Sequence, residues 1–351
     1  MPIPRLRNVS GHNQHVDRCR RVEADARGIG PVFDVFDRSL SFSRGTSMAA
    51  ADLFPGFATC NIDTGEATIH ARVGGRGPAL LLLHGYPQSH AMWHRVAPEL
   101  AKSFTVVAAD LRGYGRSSCP PSDLEHRPYS KLTMAADMIK LMHSLGHRRY
   151  SIIGHDRGAR VAYRMAMALP DQVERLIVLD ILTTADQWSS ANQKVRLKMF
   201  HWAFLAQPAP MPETLIGRDP ADWVEGRFKR GTKSRSLAEI DRRALSDYQA
   251  YFADPDRMHA TCEDFRAGSG CDLADDEMAR AAGRRIECPT MLLWATDGPL
   301  ADVADPLGLW RPWCRSVVGA TIDCGHFIAE ERPRELLEHA LPFLRAQNSG
   351  A

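Results

Sequence analysis

No stretch of the sequence approaches the roughly 18 to 20 consecutive apolar residues that span a bilayer, and the N-terminus lacks the apolar core of a secretion signal. Neither a membrane span nor export is expected, and a cytoplasmic location is. The eight cysteines include no C-x-x-C pair and no histidine spacing typical of zinc sites. Free thiols are expected, with no metal and no cofactor. A charge excess is missing too: 44 basic against 42 acidic side chains leave a net charge of +2. Nothing in that balance points to nucleic acid or an anionic membrane as a partner. Lysine is absent from residues 1–47, which carry arginine, scattered histidine and serine, and little periodicity. Asp17, Glu23, Asp25, Asp34 and Asp37 argue against an organellar transit peptide there. Residues 1–53 are expected to be an extension outside the fold, either disordered or an over-long start with Met48 as the natural beginning.

What is present suits one large α/β domain with an insertion. The 351 residues, 44% hydrophobic and 25% charged, are enough to bury a substantial core. Residues 58–73 alternate polar and apolar around Asp63-Thr64-Gly65, the pattern of an antiparallel hairpin. Apolar runs at 78–83, 105–109, 150–153 and 176–179 suit strands buried on both faces. Helical spacing at 92–101, 132–145 and 157–169 separates them, which predicts βαβ units in a mostly parallel sheet flanked by helices. Residues 183–285 break the alternation with amphipathic segments rich in tryptophan and tyrosine, and are expected to form an inserted helical cap. Strand patterns at 289–294 and 316–322 and a helix at 333–343 then complete a core made of 54–182 and 286–351.

The chemistry is concentrated in Gly154-His155-Asp156-Arg157-Gly158-Ala159-Arg160, where an apolar run ends and a helical pattern begins. This is the outline of a nucleophile elbow, in which glycines allow a tight strand-to-helix turn that presents the central side chain. Serine is missing from that position and Asp156 occupies it. A carboxylate can attack an electrophilic carbon and leave an ester on the enzyme, which favours alkyl transfer over acyl transfer. Alone, Asp156 could equally be a helix N-cap. Its partners follow in the order a triad requires: an acid at Asp180 and then Gly325-His326-Phe327 after the last strand. His326 would activate water as general base, with Asp180 orienting the imidazole. Asp297 is the alternative acid, and a loop or capping role is open to either.

Two further groups complete the reading. In His84-Gly85-Tyr86-Pro87, after the 78–83 strand, the Tyr86 N–H is placed to form an oxyanion hole with the Arg157 N–H. Arg157 and Arg160, at i and i+3 on one helix, can converge on an anion such as a small carboxylic acid, or can form a surface salt-bridge face, for example with Glu174.

From about Phe54 onward the chain resembles the fluoroacetate and haloacetate dehalogenases of the α/β-hydrolase fold. The resemblance rests on His84-Gly85-Tyr86-Pro87-Gln88, Asp110-Leu111-Arg112-Gly113-Tyr114-Gly115, the Gly154–Arg160 segment, His201-Trp202 followed by Phe204-Leu205-Ala206-Gln207-Pro208, and Gly325-His326-Phe327. It implies Asp156 as nucleophile, His326 as base, Asp180 as acid, Arg157 and Arg160 on the substrate carboxylate, and His201 and Trp202 on the halide. Substrate and water are then the partners, and similar proteins suggest a homodimer. One position departs from the family: a tyrosine that completes the halide site in a Cys-Glu-Asp-Tyr-Arg-like segment is Phe265 here, within Cys262-Glu263-Asp264-Phe265-Arg266. Weakened fluoride release is expected unless Tyr248 or Tyr251 supplies the donor. Haloalkane dehalogenases, epoxide hydrolases and other α/β-hydrolases with an aspartate nucleophile are the alternative, but the first two commonly carry tryptophan after it, where this chain has Arg157. A non-catalytic binding protein on the same fold is the third possibility.

Overall fold

The chain's apolar runs assemble into an eight-stranded sheet, here in a computed structural model that describes residues 52–190 and 193–346. The expected N-terminal extension lies almost wholly outside the described residues. The strands are β1 (Ala58–Asp63), β2 (Thr68–Gly74), β3 (Ala79–Leu83), β4 (Thr105–Ala109), β5 (Tyr150–His155), β6 (Val173–Leu179), β7 (Thr290–Ala295) and β8 (Val317–Ile322). Their order across the sheet is β1-β2-β4-β3-β5-β6-β7-β8. The hairpin β1–β2 and the β2–β4 pairing are antiparallel, and every pairing from β4 to β8 is parallel.

Every residue of β3 and β5 is buried. Continuous apolar sequence is required there because helices cover both faces of a central parallel strand. The carboxyl end of β5 delivers Asp156 beside the ends of β3 and β6, where open α/β sheets place their ligands. Ser130 caps the crossover helix Lys131–Ser144 by accepting from the Thr133 N–H.

The helix expected at 92–101 is instead a 3₁₀ turn, His90–Trp93, followed by the short helix Ala97–Leu100. Pro98 explains the break, since a proline has no N–H to continue a helical ladder and is accepted only in a first turn. Between β6 and β7 the described residues form eight helices, from Thr184–Ser190 to Cys271–Ala281, here called the insert. No helix among the described residues is long and apolar enough to cross a membrane.

Candidate active site

The elbow is built by close backbone approach. A Cβ on Gly154 would lie 2.6 Å from the Ala159 Cα, and one on Gly158 only 2.4 Å from the His84 carbonyl oxygen, so neither position accepts a side chain. Between them Asp156 sits at φ +45° and ψ −112°. A non-glycine residue in this region stores strain of order 1–3 kcal/mol, held by the surrounding structure. Its side chain does not cap the helix Arg157–Ala168 that it precedes. The Tyr86 N–H donates to Asp156 Oδ2 at 3.0 Å. Burial would push the carboxyl up, but His326, His155, Arg157 and Arg160 together hold it below the ordinary aspartate range.

Asp180 directly follows β6 at φ +54° and is fully buried. It accepts from the Ala295 N–H at 3.2 Å, and its Oδ2 lies 2.7 Å from His326 Nδ1. Asp297 is engaged elsewhere: its Oδ2 accepts from Arg235 at 2.7 Å. The acid that meets the histidine is therefore Asp180. Burial alone would lower the His326 pKa, but the hydrogen bond and charge of Asp180, with Asp156, raise it overall.

The histidine loop is pinned by a residue that sequence reasoning missed. Glu331 accepts from the Gly325 N–H at 2.9 Å, the Phe327 N–H at 3.1 Å and the Lys233 N–H at 2.9 Å. His326 itself donates its backbone N–H to the Gly231 carbonyl at 2.7 Å, tying the loop to the insert.

Arg157 and Arg160 are buried rather than on a surface face, and Glu174 pairs with Arg149 instead. Arg157 spends its guanidinium on Asp264: Nε and Nη2 donate to the carboxylate at 2.9 and 2.7 Å, while Nη1 stays buried without a partner. Asp264 also accepts from Tyr114 at 2.7 Å and from Lys131 Nζ. Arg160 Nη1 donates to the Leu182 carbonyl at 3.0 Å and to Thr184 at 3.2 Å, but its Nε and Nη2 are buried without partners.

Asp156, Arg160, Asp180, His326, His201 and Trp202 all line one cavity of about 220 Å³. Trp202 lies over Arg160, 4.4 Å from guanidinium carbon to ring centroid. The Phe265 ring packs edge-on against His201 and Trp202, with centroids 5.9 and 5.8 Å away. The two tyrosines considered as substitutes lie outside this cavity. Tyr248 donates to Glu330 at 3.0 Å, and Tyr251 packs beneath Arg116 and Arg257. Arg227, which no sequence pattern marked, also lines the cavity.

Among the described residues, His70, His90 and Asp110 bring their ligand atoms within 4.8 Å of one another. His90 Nδ1 is already 2.9 Å from Asp110, and His70 Nδ1 is 2.9 Å from Asn61 Oδ1, so the trio has hydrogen-bond partners of its own. The seven described cysteines are all unpaired.

The α/β hydrolase fold family model matches residues 78–333. A fluoroacetate dehalogenase from Burkholderia sp. is 40% identical over 298 residues, 85% of this chain and 97% of that protein. The chain belongs to the fluoroacetate/haloacetate dehalogenase family of α/β hydrolases. It is thus a hydrolase, and its relatives extend to epoxide chemistry. A soluble epoxide hydrolase from Corynebacterium sp. (strain C12) is 30% identical over 277 residues, 78% of this chain and 93% of that protein. A mutant of a provisionally named epoxide hydrolase from Pseudomonas aeruginosa, solved with bound MFA, is 43% identical with a TM-score of 0.78. That match covers 84% of this chain and 97% of that one.

Proposed function

We propose that the chain hydrolyses small 2-haloacids such as haloacetates to 2-hydroxy acids and halide through an ester on Asp156. The Tyr86 N–H holds Asp156 Oδ2, leaving Oδ1 to attack the α-carbon from the face opposite the halogen. The new C–O bond forms as the carbon–halogen bond breaks, and the halide leaves with its electron pair. His326, steadied by Asp180, then takes a proton from water, and the hydroxide attacks the ester carbonyl. Negative charge builds on the oxygen facing the Tyr86 N–H, with the Arg157 N–H as second donor. Collapse of the intermediate breaks the Cγ–Oδ1 bond, and the departing alkoxide takes the proton from His326 to become the hydroxy acid. Asp156 loses the second proton of the water to solvent and is restored as a carboxylate with one solvent oxygen. The helical insert serves as the cap, and His201 and Trp202 receive the halide.

The observation that carries this reading is Arg160: a buried guanidinium whose Nε and Nη2 lack partners, lining the same cavity as Asp156. Leaving such donors unpaired is costly, and a bound carboxylate satisfies them bidentately. A neutral epoxide would not. Tyr248 and Tyr251, the two tyrosines considered as donors to an opening epoxide ring, are occupied elsewhere.

The test is halide release from fluoro-, chloro- and bromoacetate, with a neutral epoxide assayed alongside. Haloacid turnover that Asp156→Ala abolishes, with solvent-derived heavy oxygen appearing in Asp156 of the native chain, is the expected result. Epoxide hydrolysis without halide release would overturn it.

A further inference from the structure

Buried arginines in this molecule normally meet a carboxylate. Arg112 pairs with Asp137 at 2.5 Å, Arg157 with Asp264 at 2.7 Å and Arg164 with Asp276 at 3.1 Å. Two do not. Among the described residues, neither Arg160 nor Arg227 has an acidic side chain in ion-pair contact, and both line the cavity that contains Asp156. Arg227 is 7% exposed and its Nε is buried without a partner. Its Nη2 lies 3.4 Å from His201 Nε2, and its guanidinium carbon is 6.0 Å from the centroid of the Tyr86 ring. A guanidinium only donates, so His201 Nε2 accepts from it and the imidazole proton falls on Nδ1. That Nδ1 is also buried without a partner. Burial and the adjoining Arg227 hold His201 well below the ordinary histidine range, so the ring stays neutral and the tautomer is fixed.

An uncompensated buried charge destabilises a fold unless something pairs with it. The Asp156 carboxylate acts on both guanidiniums only through its charge, without an ion-pair contact, so each has donors left for another anion. A haloacid brings one anionic group, its carboxylate, and displacement transfers the charge of Asp156 to a second, the departing halide. We propose that Arg227 is a halide-binding residue, the cation that receives the leaving group beside His201 and Trp202 where Phe265 offers no phenol. The assignment rests on the haloacid reading and adds a residue to its leaving-group side. A guanidinium is a weakly hydrated, diffuse cation. It suits chloride and bromide better than fluoride, which demands short, directional donors.

The test is bromide binding to the full chain, followed by quenching of tryptophan fluorescence, for the native protein, Arg227→Met and Arg227→Lys. Losing a charge-assisted donor is expected to weaken bromide binding by about ten- to hundredfold in Arg227→Met, while Arg227→Lys retains most of it. Glycolate binding, which uses the Arg160 end, is expected to hold in both. Removing an unpaired buried charge is also expected to leave the thermal midpoint of Arg227→Met unchanged or higher.

Unaltered bromide affinity in a folded Arg227→Met, or no bromide binding by the native chain, would overturn the proposal. So would a lowered midpoint that Arg227→Lys restores without restoring bromide binding, since that pattern marks a structural residue. Arg227-dependent bromide binding in a chain that releases no halide from any haloacetate would sink the haloacid reading and leave this site standing.

Discussion

At position 265 a benzyl ring lies edge-on to His201 and Trp202 and under the Arg157 guanidinium, 4.3 Å from its carbon to the ring centroid. The family pattern places a phenolic oxygen at this residue, and neither Tyr248 nor Tyr251 supplies one. Loss of one donor to a developing anion costs about 2.7–4 kcal/mol, and fluoride depends on such donors most. Phe265→Tyr is therefore expected to raise the ratio of fluoroacetate to chloroacetate turnover by at least about tenfold, read as fluoride and chloride release under matched conditions. An unchanged ratio would show that the ring edge, not the missing oxygen, shapes this side of the cavity. The position of Phe265 could be read in the sequence through its Cys262–Arg266 setting. Arg227 could not, because an arginine on an amphipathic helix looks solvent-facing until its neighbours are known.

The elements that carry the site are held together by a buried ionic junction. Asp264, on the insert helix Pro255–Ser269, meets Arg157 at the start of the elbow helix and Lys131 at the start of the helix Lys131–Ser144. All three side chains are buried. Burial alone would push the Asp264 carboxyl up, but the two cations hold it well below the ordinary range. Asp264→Asn leaves Arg157 without a carboxylate and Lys131 with Asp272 alone, at 3.2 Å, and is expected to destabilise the fold by about 3–5 kcal/mol, measured by urea denaturation. Activity is expected to fall as well, because a released Arg157 fork no longer leaves Arg160 as the open guanidinium. The junction was invisible in sequence: Lys131 and Asp264 stand 133 positions apart, and each reads as an ordinary surface charge. The strands were legible because burial on both faces demands unbroken apolar runs. The 92–101 segment misled for a local reason, since its apolar spacing is helical but Pro98 divides it.

For the molecule as a whole, the coupling of Asp180, His326 and Asp156 predicts how it responds to pH. Burial opposes the imidazolium, but the two carboxylates favour it, so His326 titrates above the ordinary value of about 6.5. As the proposed base, His326 must be neutral to take a proton from water, so hydrolysis is expected to fall as pH drops through that raised value. Proton NMR of the resting protein is expected to place the His326 midpoint above the ordinary histidine range. Asp180→Asn removes the charge while leaving the ring buried, and is expected to bring the midpoint below it. A midpoint that does not respond to Asp180→Asn would mean that the 2.7 Å contact carries no electrostatic weight.

The sequence by itself determined the sheet, the elbow and the places of Asp156 and His326 after their strands, because strand burial and the Gly154/Gly158 turn are local demands written in consecutive residues. It left Asp180 and Asp297 as rival acids, since both follow strands of the same sheet. Only the tertiary structure decided between them, by carrying Asp297 to Arg235 and Asp180 to His326. In the same way it spent Arg157 on Asp264 and left Arg160 and Arg227 without an ion-pair contact in one cavity. Charge pairing is a property of neighbours in space, and folding chooses those neighbours from residues far apart in the chain.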